Sequence, residues 1–306
     1  MARVSVNICC YNGEKYIADA IKSVLAQTFA DFEIIVINDG SKDNTEKEIL
    51  ALKDGRIKYF FQENRGLAAT RNRAIELSGG EFIAILDQDD LWEPDKLEAQ
   101  VRLMDADRNV GVVYSDAYVI DSSGYVRGTG RKHRYRRGQI AMSLLKGNYI
   151  FCPTVMFRRS VLDKAGRFRT DLKIGEEYEM YLRLSRICVF DFVDKPVARY
   201  RVHESNVSVD IVKAYVETVM CLSEFAAVER DLKIRKTALK YADITRLKLV
   251  AALVWNNRGS EIPEVLCNIK SGKFPVFAAL LRIMLYLPPC ILKTACLPFK
   301  ATGIVK

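Results

Sequence analysis

Phe82-Ile83-Ala84-Ile85-Leu86-Asp87-Gln88-Asp89-Asp90-Leu91-Trp92 decides how this 306-residue chain is read. Five apolar residues in a row, preceded by Gly79-Gly80, have the pattern of a short strand buried on both faces of a parallel sheet. Three carboxylates in four positions follow at once. If the chain stays extended, side chains alternate, so Asp87 and Asp89 project to one side and Gln88 to the other. Two carboxylates converging at a strand end repel each other unless a cation lies between them, and oxygen ligands favour a hard ion, Mg²⁺ or Mn²⁺. The plainer alternative is a solvated turn before a helix expected near Pro94, with Asp90 as its N-terminal cap.

Upstream of this stretch, strand and helix patterns alternate. Strands are expected over residues 4–9, 32–37 and 57–61, and helices over 14–26, 45–52 and 67–77. The first helix has Ile17, Ala20, Ile21, Val24 and Leu25 on one face. This order predicts an α/β fold, a Rossmann-like, mostly parallel sheet flanked by helices. Ligands of such sheets bind beyond the carboxyl ends of the strands. Tyr11-Asn12-Gly13, Asn38-Asp39-Gly40-Ser41 and Asp87-Gln88-Asp89 each follow such an end, so three polar clusters are expected along one rim.

Downstream, a strand is expected at 110–114, then a hairpin and loop over 117–138. The loop carries Arg131, Lys132, Arg134, Arg136 and Arg137 and no acid, which suits either a solvated loop or a flap over phosphate. Short elements near 141–145, 155–157 and 160–164, a helix over 176–187 and strands at 189–192 and 197–202 complete the first domain, residues 1–208. Residues 209–306 read as a C-terminal helical extension. Its apolar tail, 274–299, has no uninterrupted run longer than residues 283–287, far short of the roughly 20 a spanning helix needs. The tail is expected either to pack on the first domain or to lie in an anionic membrane surface.

Bulk properties set limits. A net charge of +9 with 28% charged residues permits anionic partners: nucleotide, nucleic acid or acidic lipid. The eight cysteines form no C-x-x-C pair and read as apolar fillers in a reducing compartment. The strand pattern at Val4 leaves no leader ahead of it, so a cytoplasmic protein is expected, peripheral at the inner membrane face if the tail binds lipid. G-x-G-x-x-G and G-x-x-x-x-G-K-[ST] are both absent, which removes dehydrogenase and P-loop readings.

Cys10-Tyr11-Asn12-Gly13, residues 36–43, residues 64–72, the stretch quoted first, Gly175-Glu176-Glu177-Tyr178-Glu179 and Tyr200-Arg201-Val202-His203-Glu204-Ser205-Asn206 occur in that order. With these, about residues 4–208 resemble an inverting family-2 glycosyltransferase of the GT-A fold, of the bacterial surface-polysaccharide type. The resemblance implies transfer of one sugar from a UDP- or dTDP-sugar to a hydroxyl of a glycan or polyprenyl-diphosphate-linked acceptor, with Mg²⁺ or Mn²⁺ and without nucleic acid. It implies that Tyr11 and Asn12 line the nucleotide site, with Tyr11 against the base. Asp39 then accepts from the base imide, unless it only organises its Gly-Ser turn. Arg71 would add charge near base or phosphate. Asp87 would reach the ribose or the metal's outer shell, Asp89 would bind the metal that bridges the diphosphate, and His203 would approach the metal or the diphosphate, although a lone histidine is often structural. Glu177 would be the catalytic base with Glu176 supporting it, unless one of the pair caps a helix.

This sequence departs from the family pattern at Cys9-Cys10, in having Glu176-Glu177 where Glu-Asp is commoner, and in lacking a following Gln-x-x-Arg-Trp. The last departure favours single-sugar addition over processive synthesis. Two alternatives remain at this level. A sugar-phosphate nucleotidyltransferase would carry a glycine- and arginine-rich phosphate loop, but residues 7–13 hold a single glycine. A non-catalytic basic binding module would show salt-sensitive binding alone.

Overall fold

The computed structural model describes residues 2–130, 135–204, 210–256 and 258–267. The chain divides into two compact units, the first ending at Glu204. Arg131, Lys132 and Arg134 of the basic loop, Ser205-Asn206 of the last motif and the apolar tail lie outside the described residues.

In the first unit every residue of β1 (Val4–Cys10) and β2 (Phe32–Asp39) is buried, as central strands require. They run parallel to β3 (Ile57–Gln62) and β4 (Phe82–Asp87) in the order β3-β2-β1-β4. Helices α1 (Ile17–Leu25), α2 (Thr45–Leu50) and α3 (Leu67–Leu77) make the crossovers. The predicted stripe of α1, Ile17, Ala20, Ile21 and Val24, is buried against β1 and β2 residues such as Val6, Ile8 and Ile34. Register aligns the strand ends: Cys10 pairs with Asn38, Cys9 with Asp87, and Asp39 with Gln62. The three polar clusters therefore leave the sheet along one edge.

Beyond β4 the sheet is mixed, which corrects the mostly parallel expectation for this half. The elements here are β5 (Leu91–Trp92), α4 (Lys96–Ala106), β6 (Val110–Ile120), β7 (Val126–Thr129), α5 (Ala141–Leu144), β8 (Met156–Arg158), α6 (Arg159–Ala165), α7 (Glu176–Leu184) and β9 (Val189–Arg201). Strand β8 is antiparallel to both β4 and β6, β9 is parallel to β6, β5 is antiparallel to β9, and β7 hairpins back on β6. The two late strands expected from the sequence are one element, β9. Its pairing with β6 runs from Val189 to Val193, breaks, and resumes at Ala198. Pro196, which has no N–H to give, lies in the break.

Two further expectations change. Asp90 caps no helix: α4 starts after Asp95, and Asp90 is buried and accepts from the backbone N–H of Arg201 at 2.7 Å. The basic loop is tied down where it is described. Arg137 binds Asp191 (2.6 Å) and Asp194 (3.0 Å) over the Phe192 ring, and the backbone of Arg136 brackets the Tyr114 hydroxyl.

The second unit contains α8 (Ile211–Val228), α9 (Leu232–Trp255) and α10 (Ile262–Cys267). Asp210 and Asp231 cap the first two, accepting from Lys213 N and from Lys233 and Ile234 N. Val212, Leu249, Val250, Leu253 and Ile262 form its core. Among the described residues no helix is long and apolar enough to cross a membrane, and Cys9, Cys10, Cys152, Cys188 and Cys221 are buried thiols.

Candidate active site

At the end of β1 the chain turns through Asn12, whose φ of 49° is left-handed, a conformation asparagine tolerates. Asn12 is stitched to the loop after β2: its N–H donates to Ser41 Oγ (2.9 Å) and its Oδ1 accepts from Lys42 N (2.9 Å). Tyr11 is 45% exposed, so its ring is open at the rim. Its backbone pairs with the Gln88 side chain, which accepts from Tyr11 N at 2.9 Å and donates to Tyr11 O at 3.2 Å.

Asp39 does not organise the Gly40-Ser41 turn. Asn38 does that, accepting from Ser41 N at 2.9 Å. The Asp39 carboxylate accepts from Gln62 Nε2 (2.5 Å), Arg65 N (2.9 Å) and Gly66 N (2.9 Å), fixing the loop between β3 and α3 beside the rim.

Residues 88 and 89 form a turn, so the alternation expected of an extended chain ends at Asp87. Asp89 meets His203, with 2.8 Å between Oδ2 and Nε2. The imidazole is stacked on Tyr16 (5.5 Å between centroids, 28° between planes), and the Arg201 guanidinium lies 4.5 Å from the same Tyr16 ring. Arg201 also donates to the carbonyls of Asp89 (2.7 Å), Asp121 (3.2 Å) and Ser122 (3.3 Å), joining the Asp89 turn to the β6–β7 hairpin.

One oxygen and one nitrogen donor at this spacing suit a divalent ion, since neighbouring ligands of an octahedral ion with bonds near 2.1 Å stand about 3.0 Å apart. Burial, and after it the charge of Asp87, push the Asp89 carboxyl above its usual range, while the hydrogen bond to His203 opposes the rise.

Asp87 faces elsewhere. The Arg71 guanidinium, 1% exposed, binds Asp87 (2.7 Å), Glu176 (2.8 Å) and Glu177 (2.7 Å), and donates to Cys152 Sγ at 3.4 Å. Asp87, Cys152 and Glu177 offer three donor atoms within 4.8 Å of one another, a spacing open to a metal. The positive charge among them is Arg71 itself. The cation expected between Asp87 and Asp89 is therefore, on the Asp87 side, a buried arginine, and Arg71 faces inward instead of toward the rim.

Glu176 and Glu177 open α7, where the helix dipole favours carboxylates. Their side chains are 3% and 20% exposed, so Glu177 is the more accessible of the two. Burial pushes the Glu177 carboxyl up to about 7; Arg71 opposes this, while Glu176 and Asp87 add to it. Gln88, Cys152 and Tyr16 were not singled out by sequence reasoning. Gln88 alone carried a signal, its position inside the acidic stretch.

The model of the family described as Glycosyl transferase family 2 matches residues 5–166, just over half the chain. The chain belongs to glycosyl transferase family 2. It is 32% identical over 212 residues to an uncharacterized glycosyltransferase of Rickettsia typhi, covering 66% of this chain and 65% of the relative. It is also 32% identical over 210 residues to the Escherichia coli UDP-Glc:alpha-D-GlcNAc-diphosphoundecaprenol beta-1,3-glucosyltransferase WfgD, covering 67% of this chain and 79% of that one. The chain spans 65% or less of the length of several of the rickettsial relatives it matches.

Among solved structures, S. aureus TarS 1-349 in complex with UDP superposes with a TM-score of 0.68 at 18% identity, covering 98% of this chain and 92% of that one. The mannosyltransferase PcManGT from Pyrobaculum calidifontis, in complex with GDP-Man and Mn2+, gives 0.65 at 18%, covering 99% and 86%. At that identity the likeness establishes the architecture, and this family-2 chain has the GT-A fold.

Proposed function

We propose that this chain is an inverting glycosyltransferase that moves one sugar from a UDP- or dTDP-sugar to a hydroxyl of a lipid-linked glycan in surface-polysaccharide synthesis. The observation that carries the reading is the Arg71 bridge. It holds the acid at the end of β4, which belongs to the donor rim, and the acid at the start of α7 within 4.8 Å of each other. WfgD, named for its UDP-Glc donor and diphosphoundecaprenol-linked acceptor, supports the substrate class. Neither alternative, nucleotidyl transfer nor a non-catalytic basic module, has an observation in its favour.

In this reading the exposed Tyr11 ring stacks on the base, and Asp39, with lone-pair capacity left on Oδ2, accepts from the base imide N–H. Asp87 has one carboxylate oxygen on Arg71 and the other available to the ribose. Asp89 and His203 hold Mg²⁺ or Mn²⁺, which when bound offsets the charge that gathers on the nucleoside diphosphate. Glu177 takes the proton of the acceptor hydroxyl as its oxygen bonds to the anomeric carbon and the bond to the diphosphate breaks on the opposite face. A carboxyl near 7 suits that task, because it is ionised often enough to accept and basic enough to hold the proton.

The test begins with thermal-shift screening of sugar nucleotides with Mn²⁺. Asp89→Ala is expected to abolish the Mn²⁺-dependent shift and to reduce sugar transfer by at least about 10²-fold. Turnover unchanged in that variant would end the proposal.

A further inference from the structure

Arg71 was expected to face the donor; its surroundings point to a different task. The side chain is 1% exposed and sits under the Phe168 ring, 5.9 Å from its centroid. Nη1 is engaged by both Glu176 and Glu177, and Nη2 by Asp87 and Cys152. Nε is buried and without a partner among the described residues, so no face of the guanidinium opens onto the rim. Three carboxylates around one guanidinium also leave the cage with surplus negative charge, and a cation so surrounded has little attraction left for a diphosphate.

From this geometry we infer that Arg71 is a positioning residue for the base, holding Glu177 aimed and ionisable, and is not a ligand of the donor diphosphate. The inference rests on the reading of Glu177 as the base. The groups facing Glu177 are Arg71 from α3, Asp87 from β4, Cys152 from the turn before β8, and Glu176 and Tyr181 from its own helix. Of these, Arg71 alone is cationic. It limits the rise that burial, Glu176 and Asp87 impose on Glu177. Weakening it raises the pH at which Glu177 becomes a carboxylate, and removing the Glu176 charge lowers that pH.

Difference infrared titration against Glu177→Gln isolates the Glu177 carboxyl band without requiring turnover. Calorimetry with UDP and Mn²⁺ reads the donor site. Expected are an upward displacement of the Glu177 midpoint by about 1–3 units in Arg71→Gln, a smaller one in Arg71→Lys, and a downward one in Glu176→Gln. UDP affinity should stay within about threefold in Glu176→Gln and fall by less than about tenfold in the Arg71 variants, which loosen Asp87 beside the ribose without removing a diphosphate ligand.

If Arg71→Gln does not fold, Arg71→Lys and Glu176→Gln decide the matter by their opposite signs. A midpoint that stays put in both overturns the inference, as does a loss of UDP affinity beyond tenfold in Arg71→Lys with no displacement. Failure of the underlying reading looks different: Glu177→Gln would then transfer sugar at the normal rate, whatever the titrations give.

Discussion

Gln88 shows what a single side chain can do between two carboxylates. Its amide closes both hydrogen bonds to the backbone of Tyr11, as a neighbouring strand would, and so couples the turn bearing Asp89 to the loop bearing Tyr11. Gly13 makes room for it, since a Cβ there would stand 2.3 Å from Gln88 Oε1. Gln88→Ala removes two such bonds, together worth about 1–3 kcal/mol. The expected result is a donor KM raised roughly 5- to 100-fold with a largely unchanged Mn²⁺ affinity, read by initial rates and by Mn²⁺ titration. A proportional loss of Mn²⁺ affinity would assign Gln88 to the ion site instead. The acids of this stretch were legible from sequence because charge at a strand end is visible in the letters. Their partners were not: alternation holds only while the chain is extended, and burial of Arg71 depends on contacts about a hundred residues away.

At the scale of elements, the parallel half was legible because its strands are long apolar runs separated by amphipathic helices. The other half depends on a three-residue β8 and a two-residue β5, too short to show a period, and on β9, where Pro196 disguises one strand as two. The loops that shape the site are held by backbone geometry, and Gly40 is the clearest case. It has φ 78°, and a Cβ there would approach Asn64 N, in the loop after β3, to 2.8 Å. A side chain at Gly40 is therefore strained by its conformation and by a backbone that cannot swing aside. Gly40→Ala should destabilise the protein by about 1–3 kcal/mol, lowering Tm by roughly 2–4 °C per kcal/mol in a thermal melt. Gly55→Ala, where no atom lies within 4 Å of the added Cβ and φ is not positive, serves as the control and should leave Tm nearly unchanged.

Across the whole molecule, charge is distributed unevenly. Residues 205–306 hold 15 Lys and Arg against eight Asp and Glu, so most of the +9 belongs to the last third of the chain. Helix α9 carries six of those cations and one acid, and that acid, Asp243, is already paired with Arg246 at 2.8 Å. Lys233, Arg235, Lys236 and Lys240 are exposed, and Leu232 beside them is 67% exposed. These exposed cations offer the unit an electrostatic contact with a membrane, worth about 1 kcal/mol per cation near an anionic surface. It would also fade as the screening length falls from about 10 Å at 0.1 M salt to about 3 Å at 1 M. The protein is therefore expected to sediment with phosphatidylglycerol vesicles at low salt, to be released near molar salt, and to ignore phosphatidylcholine vesicles. Replacing both Lys233 and Lys236 by Glu should weaken sedimentation at least about tenfold while leaving Tm unchanged, because both side chains point into solvent. Equal binding to neutral vesicles, or binding indifferent to salt and to the double replacement, would mean that these cations do not hold the protein at a membrane.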